Sequence, residues 1–115
     1  MATLTVQDLP ANGVDLGDIS FDACDVAGDV FPNTGKEIVI VKTVGAPSGD
    51  VTIQGVPAPD SGRDGTSVMT LGADELHIAG PFKSRNWSNS SGGVDLSYLS
   101  GITNMSVAVV RFTLG

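Results

Sequence analysis

The sequence predicts an all-β fold: a single small antiparallel β-sandwich, of jelly-roll or immunoglobulin-like type, with about eight short strands. Three observations carry this. Fifteen glycines and six prolines punctuate the 115 residues at short intervals. Between them lie short runs rich in Val, Ile, Leu and Thr, the residues that fit a pleated, half-buried surface. No segment shows an apolar helical repeat of ten or more residues.

Taken in order, strands are expected over residues 3–6, 18–21, 37–43, 51–56, 66–71, 75–79, 94–99 and 105–114. The segments "FPNTG", "GAPSG", "PAPDSGRDG", "LGAD", "NSSGG" and "LSGITN" separate most of them as turns. Four of the six prolines, Pro32, Pro47, Pro57 and Pro59, sit in these turns, where a missing N–H costs no ladder bond. Val94, Leu96 and Tyr98 alternate with Asp95 and Ser97, and Leu76 and Ile78 with Glu75 and His77, so each set marks an inner face. The run Ile38, Val39, Ile40, Val41 is apolar on both faces. So is the last strand, with Met105, Val107 and Val109 on one side and Val110, Phe112 and Leu114 on the other. The second face of these strands needs a cover, either loops of the same chain or another subunit. A chain of this length forms one domain, 1–115, that buries roughly 65% of its unfolded surface. Residues 1–10 are a candidate N-terminal arm, because "MATLTVQDLP" ends on a proline and a loop follows. Its Thr3, Leu4, Thr5 and Val6 either pair within their own sandwich or add to the edge of a neighbour.

The net charge is −7, from 13 acids and 6 bases, which argues against nucleic acid as a partner. Residues 1–35 hold six aspartates and no base. Mean hydropathy is nevertheless positive, at +0.18, a combination that suits a domain burying surface against partners. No apolar run approaches the roughly 20 residues of a membrane helix, and the N-terminus has no signal-peptide pattern. The one cysteine, Cys24, excludes an internal disulfide; flanked by Asp22 and Asp25, it is a poor nucleophile. The one histidine, His77, reads as a hydrogen-bonded side chain on the polar side of its strand. With no catalytic motif present, no enzymatic activity and no cofactor are expected. Asp15, Asp18, Asp22, Asp25 and Asp29 recur at spacings of three and four, but lie in a glycine-containing segment without a helical face. They read as solvated carboxylates and not as a metal site. Trp87, beside Phe82, Arg85 and several amides in "GPFKSRNWSNSSGG", is a lid on the core, a protein contact or a sugar-stacking surface.

The order of "TLTVQDL", "AGDVFPNTGKEIVIVK", "VTIQG", "GPF" and the closing strand "MSVAVVRF" resembles small proteins encoded beside the major capsid protein of tailed bacteriophages. These are the capsid accessory, or head decoration, proteins. The resemblance implies a non-enzymatic β-sandwich on the outer surface of the virion, made in the host cytoplasm. It implies the major capsid protein as a partner, and a homotrimer. Capsid or subunit contacts are then expected at Thr3, Leu4, Thr5, Val6, Phe82, Arg85 and Trp87. A different class remains open beside it: a small β-sandwich that binds a glycan or cell surface through Trp87.

Overall fold

The structure is a computed structural model that describes residues 2–10, 19–25, 27–45, 49–54, 66–82, 87, 92–99 and 104–113. These form an all-β fold of two sheets. The strands are β1 (Ala2–Thr3), β2 (Val6–Pro10), β3 (Asp22–Ala23), β4 (Asp29–Pro32), β5 (Ile38–Thr43), β6 (Gly49–Gln54), β7 (Thr66–Leu71), β8 (Leu76–Ala79), β9 (Gly93–Leu99) and β10 (Met105–Thr113). The first sheet runs β1-β4-β9-β6-β7. The second runs β2-β10-β5-β8, with β3 also paired to β10.

The two inner faces close on one core. Phe31, Val51, Ile53, Leu71, Val94 and Leu96 come from the first sheet, and Val39, Val41, Met105, Val107 and Val109 from the second. The expected inner set of β9 is borne out, with Val94 and Leu96 buried and Tyr98 packed against them. So is the inner set Met105, Val107 and Val109 of β10.

The second face of β5 and β10 is covered by the chain itself. Ile40, Ala108 and Val110 point away from the main core, yet all are buried, in a cluster with Leu9 and Ile19. Phe21 and Ile38 pack against that cluster. Residues 19–21 thus lie across the outside of the second sheet. A strand was expected at 18–21; Asp18 lies outside the described residues, and 19–21 form no ladder. The side-chain alternation is as expected, with Ile19 buried, Ser20 exposed and Phe21 half-buried. What differs is where the backbone bonds go. The Gln7 amide donates to the Ser20 carbonyl at 2.7 Å and accepts the Ser20 N–H at 2.9 Å. Gln7 replaces a neighbouring strand. The Lys42 ammonium sits 4.2 Å from the centre of the Phe21 ring, a cation–π contact on the same cover. The ladder begins one residue later, where Asp22 and Ala23 pair with Val107 and Ser106.

The sandwich is mixed and not wholly antiparallel, because the N-terminal segment changes sheets. Ala2 and Thr3 pair in parallel with Asp29 and Val30 in the first sheet. Leu4, buried, donates its N–H to the Val30 carbonyl at 2.8 Å and pins the crossing. Val6–Pro10 then pair in parallel with β10 in the second sheet, Val6 opposite Val109 and Pro10 opposite Thr113. The expected strand 3–6 is therefore the junction of two strands, and both pair within the protein's own sandwich. β4 was not expected; it is four residues long, ends in Pro32 and carries its inward pair Asp29 and Phe31 in a stretch that reads as a turn.

Gly28 opens β4 with φ +94°, and a Cβ there would lie 2.8 Å from the Leu96 carbonyl oxygen, a backbone atom that cannot step aside. Gly45 has φ +71° with nothing within 4 Å. Gly28→Ala is expected to lower stability by about 2–4 kcal/mol, strain and clash together, and Gly45→Ala by about 1 kcal/mol from strain alone. Urea unfolding at neutral pH measures both; equal losses would show that the contact with Leu96 is not tight.

Candidate interaction surface

Three polar clusters lie among the described residues. The largest is built on Glu37, which is fully buried at the start of β5. Its carboxylate accepts the Thr34 N–H at 2.7 Å, the Thr34 hydroxyl at 2.8 Å and the Lys36 N–H at 3.2 Å. Arg111 of β10 reaches it at 3.2 Å and also holds Asp8 of β2 at 2.9 Å. The "PNTGKE" turn, β2 and β10 are thereby tied through one carboxylate. Burial pushes the Glu37 pKa up, but the donors from Thr34 and Lys36 together outweigh it and hold the carboxyl below its usual range. This cluster shapes a turn, and both oxygens of the Glu37 carboxylate accept hydrogen bonds from within the chain.

The second cluster joins Asp29, Tyr98 and Cys24 inside the sandwich. The Tyr98 hydroxyl donates to Asp29 Oδ2 at 2.5 Å, and the Asp25 N–H reaches the same oxygen at 3.3 Å. Asp29 Oδ1 is buried with no partner. Burial, with the Asp29 bond second, raises the Tyr98 pKa; burial also pushes the Cys24 thiol up to about 12. Both stay protonated at neutral pH. Of the recurring aspartates, Asp22 is exposed on β3, Asp29 is in the core, and Asp15 and Asp18 lie outside the described residues. Among the described residues no group of three or more His, Cys, Asp or Glu side chains is placed to hold a metal ion.

The third cluster straps the corner between β7 and β8. The Thr43 hydroxyl donates to the Gly72 carbonyl at 2.7 Å and accepts the Glu75 N–H at 2.9 Å. Glu75 Oε1 accepts the Gly72 N–H at 2.7 Å and stands 3.1 Å from His77 Nε2. Asp74 accepts the Gly45 N–H at 2.7 Å. His77 is therefore a hydrogen-bonded side chain, as expected, although it is half-buried on the inner side of β8.

The contact residues expected from sequence divide in the structure. Leu4 and Phe82 are buried in the main core, and Val6 and Trp87 pack against it. Phe82 lies between Phe31, at 6.0 Å, and Trp87, at 5.4 Å in an edge-on arrangement. Trp87 is thus the lid on the core. Thr3 and Thr5 are exposed. Arg85 lies outside the described residues.

Among the described residues the exposed large apolar ones are elsewhere: Val44, Val68, Leu76, Ile78 and Leu99. Two of them correct the sequence reading. Leu76 and Ile78 were expected on the inner face of β8, yet they are on the outer face. The register decides this, since Ile78 stands opposite Ile40 and His77 opposite Val41. Ile40 is an outward residue of β5, so Ile78 is outward too. The apolar row Ala108–Ile40–Ile78 crosses three strands and ends beyond the cover, with Ile78 63% exposed. Alternation alone names two faces without saying which is inner; only the pairing partner does. Among the described residues no helix is long and apolar enough to cross a membrane. Neither the sequence nor the fold matches a protein-family model, a curated protein or a solved structure.

Because the Glu37 pKa is lowered on folding, its contribution to stability is present above the ordinary glutamate value of 4.5 and is lost as pH falls through the lower folded value. Urea midpoints between pH 6 and pH 2 are expected to fall in the wild type. Glu37→Gln is expected to be less stable at neutral pH by about 1–3 kcal/mol and to show a shallower acid decline. An unchanged acid decline in the variant would assign it to other carboxylates.

Proposed function

We propose that this protein is a non-enzymatic structural component of a phage virion. It binds the outer surface of the head and stabilises the shell by bridging copies of the major capsid protein. The observation that carries the reading is the way the resembling segments come together in space. "AGDVFPNTGKEIVIVK" becomes β4, the Glu37-held turn and β5. The Phe82 of "GPF" packs on Phe31, and its carbonyl accepts the Asn33 amide at 3.0 Å. "MSVAVVRF" becomes β10, paired along β5 from Met105 to Val110. Pieces far apart in the sequence thus make one packed unit.

The charge supports the same role. The outer face of the first sheet presents the polar Asp50, Thr52, Thr70, Asp95 and Ser97 beside the exposed Val68 and Leu99. Shell binding needs buried area and not an active site; repeated contacts add over a lattice of identical subunits. The resemblance implies a homotrimer. The apolar faces of β5 and β10 that pointed to self-association are covered within the chain, which leaves Val44, Val68, Leu76, Ile78 and Leu99 as the exposed large apolar side chains among the described residues. The glycan-binding alternative would rest on Trp87, which is half-buried and stands edge-on with Phe82.

Cosedimentation tests the proposal. Empty heads of a tailed phage, assembled without this protein from the major capsid protein of the genome that encodes it, are expected to bind it saturably and to resist heat or low salt better once decorated. No binding at micromolar concentrations would overturn the reading.

A further inference from the structure

The two sides of the sandwich end differently. On one side the terminal strands are guarded in the ways edge strands usually are. β1 is only two residues long, and β2 ends in Pro10 with the exposed Asp8–Arg111 pair on it. On the other side the terminal strands are β7, "TSVMTL", and β8, "LHIA". Neither contains a Lys, Arg, Asp, Glu or Pro. They touch each other and are joined by the short strapped corner of residues 72–75. The hydrogen-bonded corner thus presents, side by side, two edges that carry no charge or proline within their strands.

The open edge of β8 can be assigned atom by atom. Thr43 donates to the Glu75 carbonyl at 2.8 Å, so Glu75, His77 and Ala79 turn their backbone groups toward β5. Leu76 and Ile78 therefore turn their N–H and C=O groups away from it. Among the described residues no strand pairs with that side. The same two residues carry the exposed apolar side chains, Ile78 at 63% exposure.

We propose that this edge pairs with the same edge of a second copy: β8 lies antiparallel to β8 across a two-fold axis centred on His77. This rests on the geometry alone, holds whether or not the protein binds a phage head, and puts a dimer in place of the trimer that the resemblance implies. A two-fold axis normal to the sheet keeps outer faces outward, so it must pass through a residue. An axis on Leu76 or Ile78 would call on Asp74, with φ 54°, or Gly80, with φ 118°, neither of them extended, whereas an axis on His77 pairs outward Leu76 with outward Ile78 of the second copy. His77 then faces its own counterpart. Leu76 and Ile78 make the main-chain bonds, and His77 falls at the close, non-hydrogen-bonded position. The apolar row is completed across the axis by Leu76 and Ile78 of both copies. For a molecule of net charge −7 the register also avoids repulsion. Glu75 meets Ala79 of the second copy, and Asp74 meets Gly80, so no two carboxylates stand opposite each other. The second terminal strand, β7, adjoins β8 on the same side and is carried up to its own counterpart by the same axis.

Sedimentation equilibrium of the full chain at pH 8 is expected to show a reversible dimer. Ile78→Lys adds a guarding charge at a side chain the fold leaves exposed. It is expected to weaken the dimer at least about tenfold while leaving the urea midpoint unchanged. Val44→Lys, at an equally exposed site outside β7 and β8, is expected to leave it intact. His77→Cys is expected to give a disulfide-linked dimer under mild oxidation, since the two positions fall within disulfide reach. Ser97→Cys, exposed in the middle of the first sheet, is expected to stay unlinked. The native Cys24 is buried and held protonated, and does not compete. A wild type that stays monomeric to ~1 mM, a trimer, or an Ile78→Lys variant that associates like wild type would overturn the proposal.

Discussion

Two strands that are apolar on both faces govern this structure. β5 and β10 lie side by side in the middle of the second sheet, and water can cover neither of their faces cheaply. The first sheet covers one face. Residues 19–21 cover the other, laying Ile19 and Phe21 over Leu9, Ile40, Ala108 and Val110. Burying a side chain such as Ile19 contributes about 1.5–3 kcal/mol. The Gln7–Ser20 bonds contribute about 0.5–1.5 kcal/mol each, and the Lys42–Phe21 contact about 0.5–1 kcal/mol. Burial therefore drives the cover closed, and the polar contacts set where it lies. The parallel pairing of β2 with β10 follows from the same need, for it places Gln7 and Leu9 on the face to be covered. So does the placement of β3, which continues the cover into the sheet at Val107.

Glu37 fixes the approach to that pair of strands. A fully buried carboxylate is costly unless its lone pairs are filled. Here they are filled by the turn it belongs to and by Arg111, which also reaches back to Asp8 on β2. The turn before β5, the last strand and the N-terminal strand are thus held in one charge-assisted network. On the far side of β5, the Thr43 hydroxyl plays the matching part for the β7–β8 corner. Both ends of β5 are strapped to other elements by side chains of the turn residues or of β5 itself.

The long strands were legible because period and length both spoke for them. Seven of the eight expected runs lie on strands or at a strand junction, and the double-faced character of β5 and β10 was plain from four consecutive apolar residues. The segment 18–21 misled because a cover and a strand share an alternating side-chain pattern; they differ in what receives the backbone bonds, and Gln7 is remote in sequence. β4 escaped notice because Pro32 signals a turn before it signals the end of an edge-like strand. The inner face of β8 was inverted for a third reason. Leu76 and Ile78 look like core residues until the register with Ile40 is known. The placement of Leu4 and Phe82 in the core shows the same limit for the candidate contacts: an apolar residue near a turn reads alike as core or as interface.

The chain covers its own second sheet, which leaves β8 as an open edge of that sheet with Leu76 and Ile78 exposed. The position of the Phe21 ring over Lys42 tests this most directly. In a dilute solution NMR spectrum, the Lys42 side-chain protons nearest the ring are expected at unusually high field, with cross-peaks from Ile19 to Ala108 and Val110, and Phe21→Leu is expected to remove the shift. Both signals are expected to be independent of protein concentration. Ordinary Lys42 shifts, or signals that appear only as the protein associates, would contradict the account and return the second face of β5 and β10 to a partner.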